Sequence, residues 1–204
     1  MKTLILSIVD LFHMLSSFCW CTISGIGFDS SWRVDGKITV VRNRLLNLYK
    51  GRPCGKLVIG KNFSCHNTFS TNSIGLIQRC MFNISVTGSE IIIGNNVGIS
   101  GSTITATTKI TIGDNVRIGS GCLITDSDSH QLQWEDRLFN RGKIGEAPIT
   151  IEDNVFVGAR SIILKGVTIG FGSVIGAGSV VTKNIPANCI AAGNPAKVLR
   201  KLKA

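Results

Sequence analysis

Residues 151–186 read IEDNVFVGARSIILKGVTIGFGSVIGAGSVVTKNIP, and counting in sixes from Ile151 lands on Val157, Ile163, Ile169, Ile175 and Val181. Branched aliphatics recur at an unbroken spacing, which fits neither the helical period nor simple strand alternation. The residue after the aliphatic is often glycine (Gly158, Gly170, Gly176), and the fifth of each six is small or β-branched (Val155, Ser161, Val167, Ser173, Ser179, Ile185). A fixed hexad of this kind marks a parallel β-helix, in which each six forms one short strand and a corner and three sixes close a triangular coil. The aliphatic points inward onto its equivalent one coil away. Glycine accepts corner conformations that a β-carbon opposes.

Outward from this stretch the same spacing begins at Ile38, breaks at a basic loop (Arg42, Arg44, Lys50, Arg52) and resumes over residues 57–70. It is irregular between His66 and Glu90, steadies at Ile93 and Ile99, then slips by one residue before Ile112, Ile118 and Ile124. The slip predicts a bulged corner near Thr107 to Lys109. The reading is all-β, a single domain over residues 1–204, with a β-helix of roughly six to seven coils at residues 35–192.

Both ends depart from the hexad. Leu4, Ile5, Ile8, Leu11, Phe12, Leu15, Phe18 and Cys19 form a helical stripe with Thr3, Ser7, Asp10 and Ser17 opposite, predicting an amphipathic helix over residues 1–21. Its expected role is to cap the open first coil. Asp10 interrupts the apolar run and no small-residue cleavage site follows, which disfavours a signal peptide. Membrane-surface contact is the less favoured role, because Lys2 is the only cation on the polar face. At the other end, Gly193-Asn194-Pro195 predicts a turn and residues 196–203 a short basic helix.

The 204 residues suffice for a substantial core, and a net charge of +10 with a pI near 9.6 favours polyanionic partners. Nucleic acid is not expected: no binding motif is present, and a single Tyr with scattered Phe offers no stacking platform. The seven cysteines are odd in number, scattered and without a CxxC pair, which predicts reduced thiols in a cytoplasmic protein.

Between Ile124 and Ile151 the sixes stop, and residues 125–148 hold Asp126, Asp128, His130, Trp134, Glu135, Asp136, Arg137 and Arg141. A long excursion from so regular a scaffold is where function is normally placed. A neutral imidazole is the side chain suited to take a proton near neutral pH. Asp126, Asp128 and His130 alternate, so in an extended segment they project to one side. A carboxylate there can orient the imidazole or bind a substrate hydroxyl, the alternative being a solvated polar loop. Trp134 suits either a sugar face or a packing role.

From Ile93 to Arg200 the chain resembles the hexapeptide-repeat acyltransferases, and especially the sugar O-acetyltransferases of the galactoside and maltose type. The matching segments are Ile112-Gly113-Asp114-Asn115-Val116, the loop bearing His130, Pro148-Ile149-Thr150-Ile151, Val167-Thr168-Ile169-Gly170, Ile175 to Lys183, and Ala192-Gly193-Asn194-Pro195-Ala196. The resemblance implies a left-handed β-helix, a homotrimer with active sites between subunits, acetyl-coenzyme A as donor and no metal. It implies His130 as catalytic base and the backbone N–H of Ala159 as the oxyanion donor. Ala177, Thr182 and Lys183 match the coenzyme A groove, and Arg200 the C-terminal cation near the nucleotide phosphates. Where the sugar enzymes often carry an acceptor-binding Asn, this chain has Ser100, Gly101 and Ser102. Ser100 and Ser102 therefore join Asp126, Asp128 and Trp134 as candidate substrate contacts.

The expected activity is acetyl transfer to a hydroxyl of a sugar or surface polysaccharide, the alternative being an N-acetyltransferase acting on an amino sugar nucleotide. A zinc enzyme of the β-helical carbonic anhydrase type needs three converging histidines. His13, His66 and His130 lack that arrangement.

Overall fold

The computed structural model describes residues 11–12, 14–19, 21, 27–42, 55–69 and 72–203. The first coil comprises β1 (Arg33–Asp35), β2 (Thr39–Val41) and β3 (Lys56–Ile59), and the second β4 (Ser64–His66), β5 (Met81–Asn83) and β6 (Glu90–Ile93). The third is β7 (Gly98–Ser100), β8 (Thr103–Thr105) and β9 (Lys109–Ile112), and the fourth β10 (Arg117–Ile118), β11 (Leu123–Thr125) and β12 (Ile149–Ile151). The fifth is β13 (Phe156–Val157), β14 (Ile162–Ile163) and β15 (Thr168–Ile169). The sixth holds β16 (Val174–Ile175) and β17 (Val180–Val181), and closes through a parallel bridge between Ile169 and Ile185. A final hairpin of β18 (Cys189–Gly193) and β19 (Ala196–Lys201) begins the seventh turn.

Every third strand pairs, giving three sheets that form the faces of a prism. The first face carries β1, β4, β7, β10, β13, β16, β18 and β19, the second β2, β5, β8, β11, β14 and β17, and the third β3, β6, β9, β12 and β15. All pairings up to β18 are parallel. Register places like on like: Ile99, Ile118, Val157 and Ile175 stack on the first face, and Phe82, Ile104, Ile124, Ile163 and Val181 on the second. The third face stacks Ile93, Ile112, Ile151 and Ile169. All of these are buried, and each such side chain contributes about 1.5–3 kcal/mol of apolar transfer.

The edge that returns from the third face to the first is built on asparagine. Asn62, Asn96, Asn115 and Asn154 all adopt left-handed backbone, with φ between 55° and 60°. Asparagine tolerates that region better than most residues. The side chains also bond along the edge, from Asn62 Nδ2 to Asn96 Oδ1 (2.8 Å) and from Asn96 Nδ2 to Asn115 Oδ1 (2.9 Å).

At the wide first coils the core is aromatic. Trp32 packs on Phe63 at 5.7 Å between centroids and Phe63 on Phe82 at 6.5 Å, while Trp32 Nε1 donates to the Gly60 carbonyl at 2.8 Å. Helical backbone lies against this end at residues 14–19, as expected, but with the face reversed. Ser17 and Cys21 are buried, whereas Leu11, Phe12, Leu15 and Phe18 are at least half exposed. The reason lies at β1, an edge strand whose Val34 N–H meets no strand below among the described residues. Ser17 Oγ accepts that hydrogen bond at 2.8 Å, so the polar side of the helix faces the fold. The part of the predicted helix over residues 1–10 lies outside the described residues.

The expected C-terminal helix is absent: Ala196–Lys201 is strand, antiparallel to β18, with Gly193 opposite Ala196 and Ile190 opposite Arg200. A turn through a cis Asn194-Pro195 bond reverses the chain, and the unpaired edge of β18 takes up the following segment. That long-range pairing outweighs the local helical preference of Ala196 to Lys203.

The described cysteines are free, and all but Cys19 are buried. Burial pushes the Cys21 thiol up to about 11 and raises those of Cys65 and Cys122 as well. Iodoacetamide at pH 8 should therefore label Cys19 rapidly and the buried cysteines only after denaturation, as read by mass spectrometry. Ile163→Ala, midway in the stack between Ile124 and Val181, should lower unfolding free energy by about 2–5 kcal/mol in a urea titration.

Candidate active site

The two edges flanking the second face carry the candidate residues. After each second-face strand the chain turns toward the third face. That turn is tight at Leu164 to Val167 but opens in the fourth coil into the excursion between β11 and β12. The base of the excursion is a short antiparallel ladder: Asp128 N–H donates to the Gly145 carbonyl and Ala147 N–H to the Asp126 carbonyl, both at 2.9 Å, with Ser127 bridged to Glu146.

This base is clamped from below and above. Asp126 is fully buried, and its carboxylate accepts from the backbone and hydroxyl of Thr107 (2.7 and 2.8 Å) and of Thr108 (2.8 and 2.7 Å), in the corner of the coil beneath. Charge-assisted bonds of this kind are the strong ones. Asp128 turns the other way: its Oδ1 accepts from Lys165 Nζ at 2.5 Å, in the corner of the coil above. Its Oδ2 is buried and unpartnered, and Gly145 has no β-carbon because one there would lie 2.4 Å from it. Asp126 and Asp128 thus do not share an open face with His130, as alternation had suggested. Asp126 is occupied in holding the corner rather than presented to an acceptor.

His130 follows directly. Ser129 holds left-handed backbone with φ 62°, and its N–H bonds Ser127 Oγ at 3.1 Å, so the chain turns sharply and presents the imidazole at the surface. The ring is exposed, and it takes no hydrogen-bond partner among the described residues. Beyond it, Trp134–Phe139 is a helix of six residues with no buried residue, tied by Arg137 Nη1 to the carbonyls of Gln131 (2.9 Å) and Leu132 (2.5 Å). Trp134 is 61% exposed and is not a packing anchor within the chain. Thr182 and Lys183, both exposed, lie along the same edge in the sixth coil.

The opposite edge, between the first and second faces, carries the other half. Here a groove of about 540 Å³ is lined by Ala159, Arg160 and Ala177 together with Ser120, Ile74 and Gly75. The Ala159 N–H donates to no acceptor among the described residues, while its carbonyl accepts from Gly178 N–H at 2.8 Å. An N–H left without an acceptor at the wall of a groove is the kind of donor that a developing oxyanion requires. Ser100 and Ser102 belong to this edge too. Ser102 is fully buried, however, donating to the carbonyls of Ser100 (2.8 Å) and Gly119 (2.9 Å) and accepting from Cys122 N–H (3.0 Å). It is a corner fastener, and only the half-buried Ser100 is left to meet an acceptor. Arg200 sits on β19, exposed, away from both edges.

One chain therefore lines a single groove with Ala159 and Ala177 and carries His130, Thr182 and Lys183 along the other edge, two coils apart, with the width of the second face between the sets. Sequence reasoning missed Lys165, Arg160 and the segment at Ile74 and Gly75. Lys165 had a readable signal: Ile163 stands over Ile124, so Lys165 stands over Asp126 and reaches the neighbouring Asp128.

These features define a parallel β-helical protein with an imidazole displayed on one corner excursion. The family described as the hexapeptide repeat of succinyl-transferase matches residues 109–125 and 148–183. Galactoside O-acetyltransferase of Escherichia coli (strain K12) is 44% identical over 116 residues, 56% of this chain and 56% of that protein. The chain spans about half the length of the curated relatives it matches. Among solved structures, a galactoside acetyltransferase in complex with coenzyme A is 31% identical, with TM-score 0.51, over 72% of this chain and 65% of that one. A maltose O-acetyltransferase from Clostridium difficile 630 is 26% identical, with TM-score 0.54, over 96% and 89%. The chain therefore carries the hexapeptide repeat of that family model, and its coil is a left-handed parallel β-helix.

Asp126→Ala should strand the Thr107 and Thr108 donors, lowering unfolding free energy by at least about 2 kcal/mol in a denaturant titration. Ser100→Ala should leave stability within about 0.5 kcal/mol of the parent.

Proposed function

We propose that the protein is an acetyl-coenzyme A-dependent O-acetyltransferase acting on a hydroxyl of a sugar or surface polysaccharide. The observation that carries this reading is the presentation of His130: an exposed imidazole on a turn clamped to the coils below and above. A base held this firmly can wait for an acceptor hydroxyl without reorganising. His130 takes the hydroxyl proton, the oxygen attacks the thioester carbonyl, and the Ala159 N–H steadies the tetrahedral oxyanion before coenzyme A leaves as its thiol. No covalent enzyme intermediate is required. The coenzyme A complex of the galactoside relative supports the donor, and the names of the galactoside and maltose relatives support a sugar acceptor.

The working form in this reading is a homotrimer. His130 and Ala159 lie on different edges of one prism, so one protomer's histidine edge must face another's groove for both to meet a single substrate. Closed three-fold packing of flat faces does this for each copy alike. Thr182 and Lys183 then join the donor groove from the histidine edge, and Arg200 supplies a cation for the nucleotide phosphates. Free, mostly buried thiols suit a reducing, cytoplasmic setting, where surface-polysaccharide building blocks are assembled.

His130→Ala should fold and bind coenzyme A as the parent does, yet lose on the order of 10² to 10⁴ in turnover. Near-parental turnover in the folded variant would reject the mechanism. Light scattering at micromolar concentration should report a trimer, and a monomer would oppose the shared site. Replacing Lys183 and Arg200 together should raise KM for acetyl-coenzyme A, as added salt should for the parent.

A further inference from the structure

Arg160 is anomalous in its place. On the edge that carries the groove, register stacks Gly121, Arg160 and Gly178 one above another, all with positive φ, at 73°, 60° and 72°. Glycine is the residue that such backbone favours, and the coils below and above use it. The fifth coil holds arginine there instead, kept in the left-handed region by its own N–H bond to the Ser120 carbonyl at 2.8 Å. A solvated cation needs no such position. The side chain is exposed and lines the groove, its stem passing over Gly121, where a β-carbon would lie 3.6 Å from Arg160 Cγ. No acidic side chain lines the groove, and Arg160 makes no ion pair among the described residues.

We infer that Arg160 is an acceptor-binding residue that grips an anionic group, so that the acceptor is an acidic saccharide. The inference rests on the reading of this groove as the acyl-transfer site. A guanidinium presents N–H donors in a planar fork that matches a carboxylate or phosphate oxygen pair. Because Arg160 follows Ala159 directly, the anion it holds lies beside the reacting carbonyl. The nucleotide phosphates of the donor are assigned instead to Lys183 and Arg200, off this edge. The net charge of +10 adds a long-range pull on acidic chains.

The test compares the parent, Arg160→Gly and Arg160→Lys. Arg160→Gly matches the stacked glycines and removes the unfavourable backbone, so its melting temperature should equal or exceed the parent's. Three size-matched acceptors are used: a hexuronate-bearing oligosaccharide, a phosphorylated one and a neutral one. Transfer kinetics and calorimetric binding are measured for each. The parent should prefer an acidic arm, and which arm is preferred identifies carboxylate or phosphate. In Arg160→Gly the acidic-to-neutral ratio of kcat/KM should fall roughly 10- to 100-fold, mainly through KM, with partial recovery in Arg160→Lys. The KM for acetyl-coenzyme A should hold. A parent that prefers the neutral sugar, or an Arg160→Gly variant that raises donor KM and leaves the acceptor ratio alone, overturns the inference. Should the parent transfer acetyl to none of the three, acidic-saccharide binding that Arg160→Gly abolishes would sustain Arg160 while the transfer reading falls. Absence of such binding would overturn it.

Discussion

Each coil bonds its backbone to the coil below in parallel register, and everything else depends on that constraint. Once Ile124 is fixed above Ile104 and below Ile163, the height and face of every neighbouring residue follow. Inward positions must then be apolar, because they meet the inward positions of the coils below and above and little else. The corners are released from this demand. They lie outside the stack, and their length changes no pairing, so the chain varies freely there: a tight turn after β14, a long excursion after β11.

The same constraint explains what could be read from sequence. The hexad was legible because like stacks on like, and the family segments because corners such as Gly-Asp-Asn need fixed residue types. What escaped were interactions between coils at the corners. Asp126 and Asp128 alternate like residues of one exposed strand, yet one bonds down to Thr107 and Thr108 and the other up to Lys165. Ser102 looked like a substrate contact because it stands where the sugar enzymes often carry an acceptor-binding Asn, whereas its hydroxyl closes a corner. Handedness was never in the periodicity. The usual crossover preference is right-handed, and only likeness to known members corrects it.

The two ends of the solenoid misled for a shared reason. Local patterns assign the apolar stripe of a helix to the core and a basic Lys- and Leu-bearing tail to a helix, but an open coil presents unpaired backbone, and backbone demand takes precedence. At the first coil a serine hydroxyl satisfies it, and at the last a returning strand does. Neither demand appears in a window of sequence, since it is created by strands far away in the chain.

The returning strand also limits what the molecule can join. A parallel solenoid is in principle a template: its last rung could receive the first rung of another molecule, and rungs of one kind could continue into a fibre. β19 runs against the others and carries Lys197, Arg200 and Lys201 along its length. An incoming coil would meet a strand of opposite polarity and a row of like charges, the devices that discourage edge-to-edge growth. A reversed, cationic strand laid over β18 thus opposes continuation of the parallel stack into a filament.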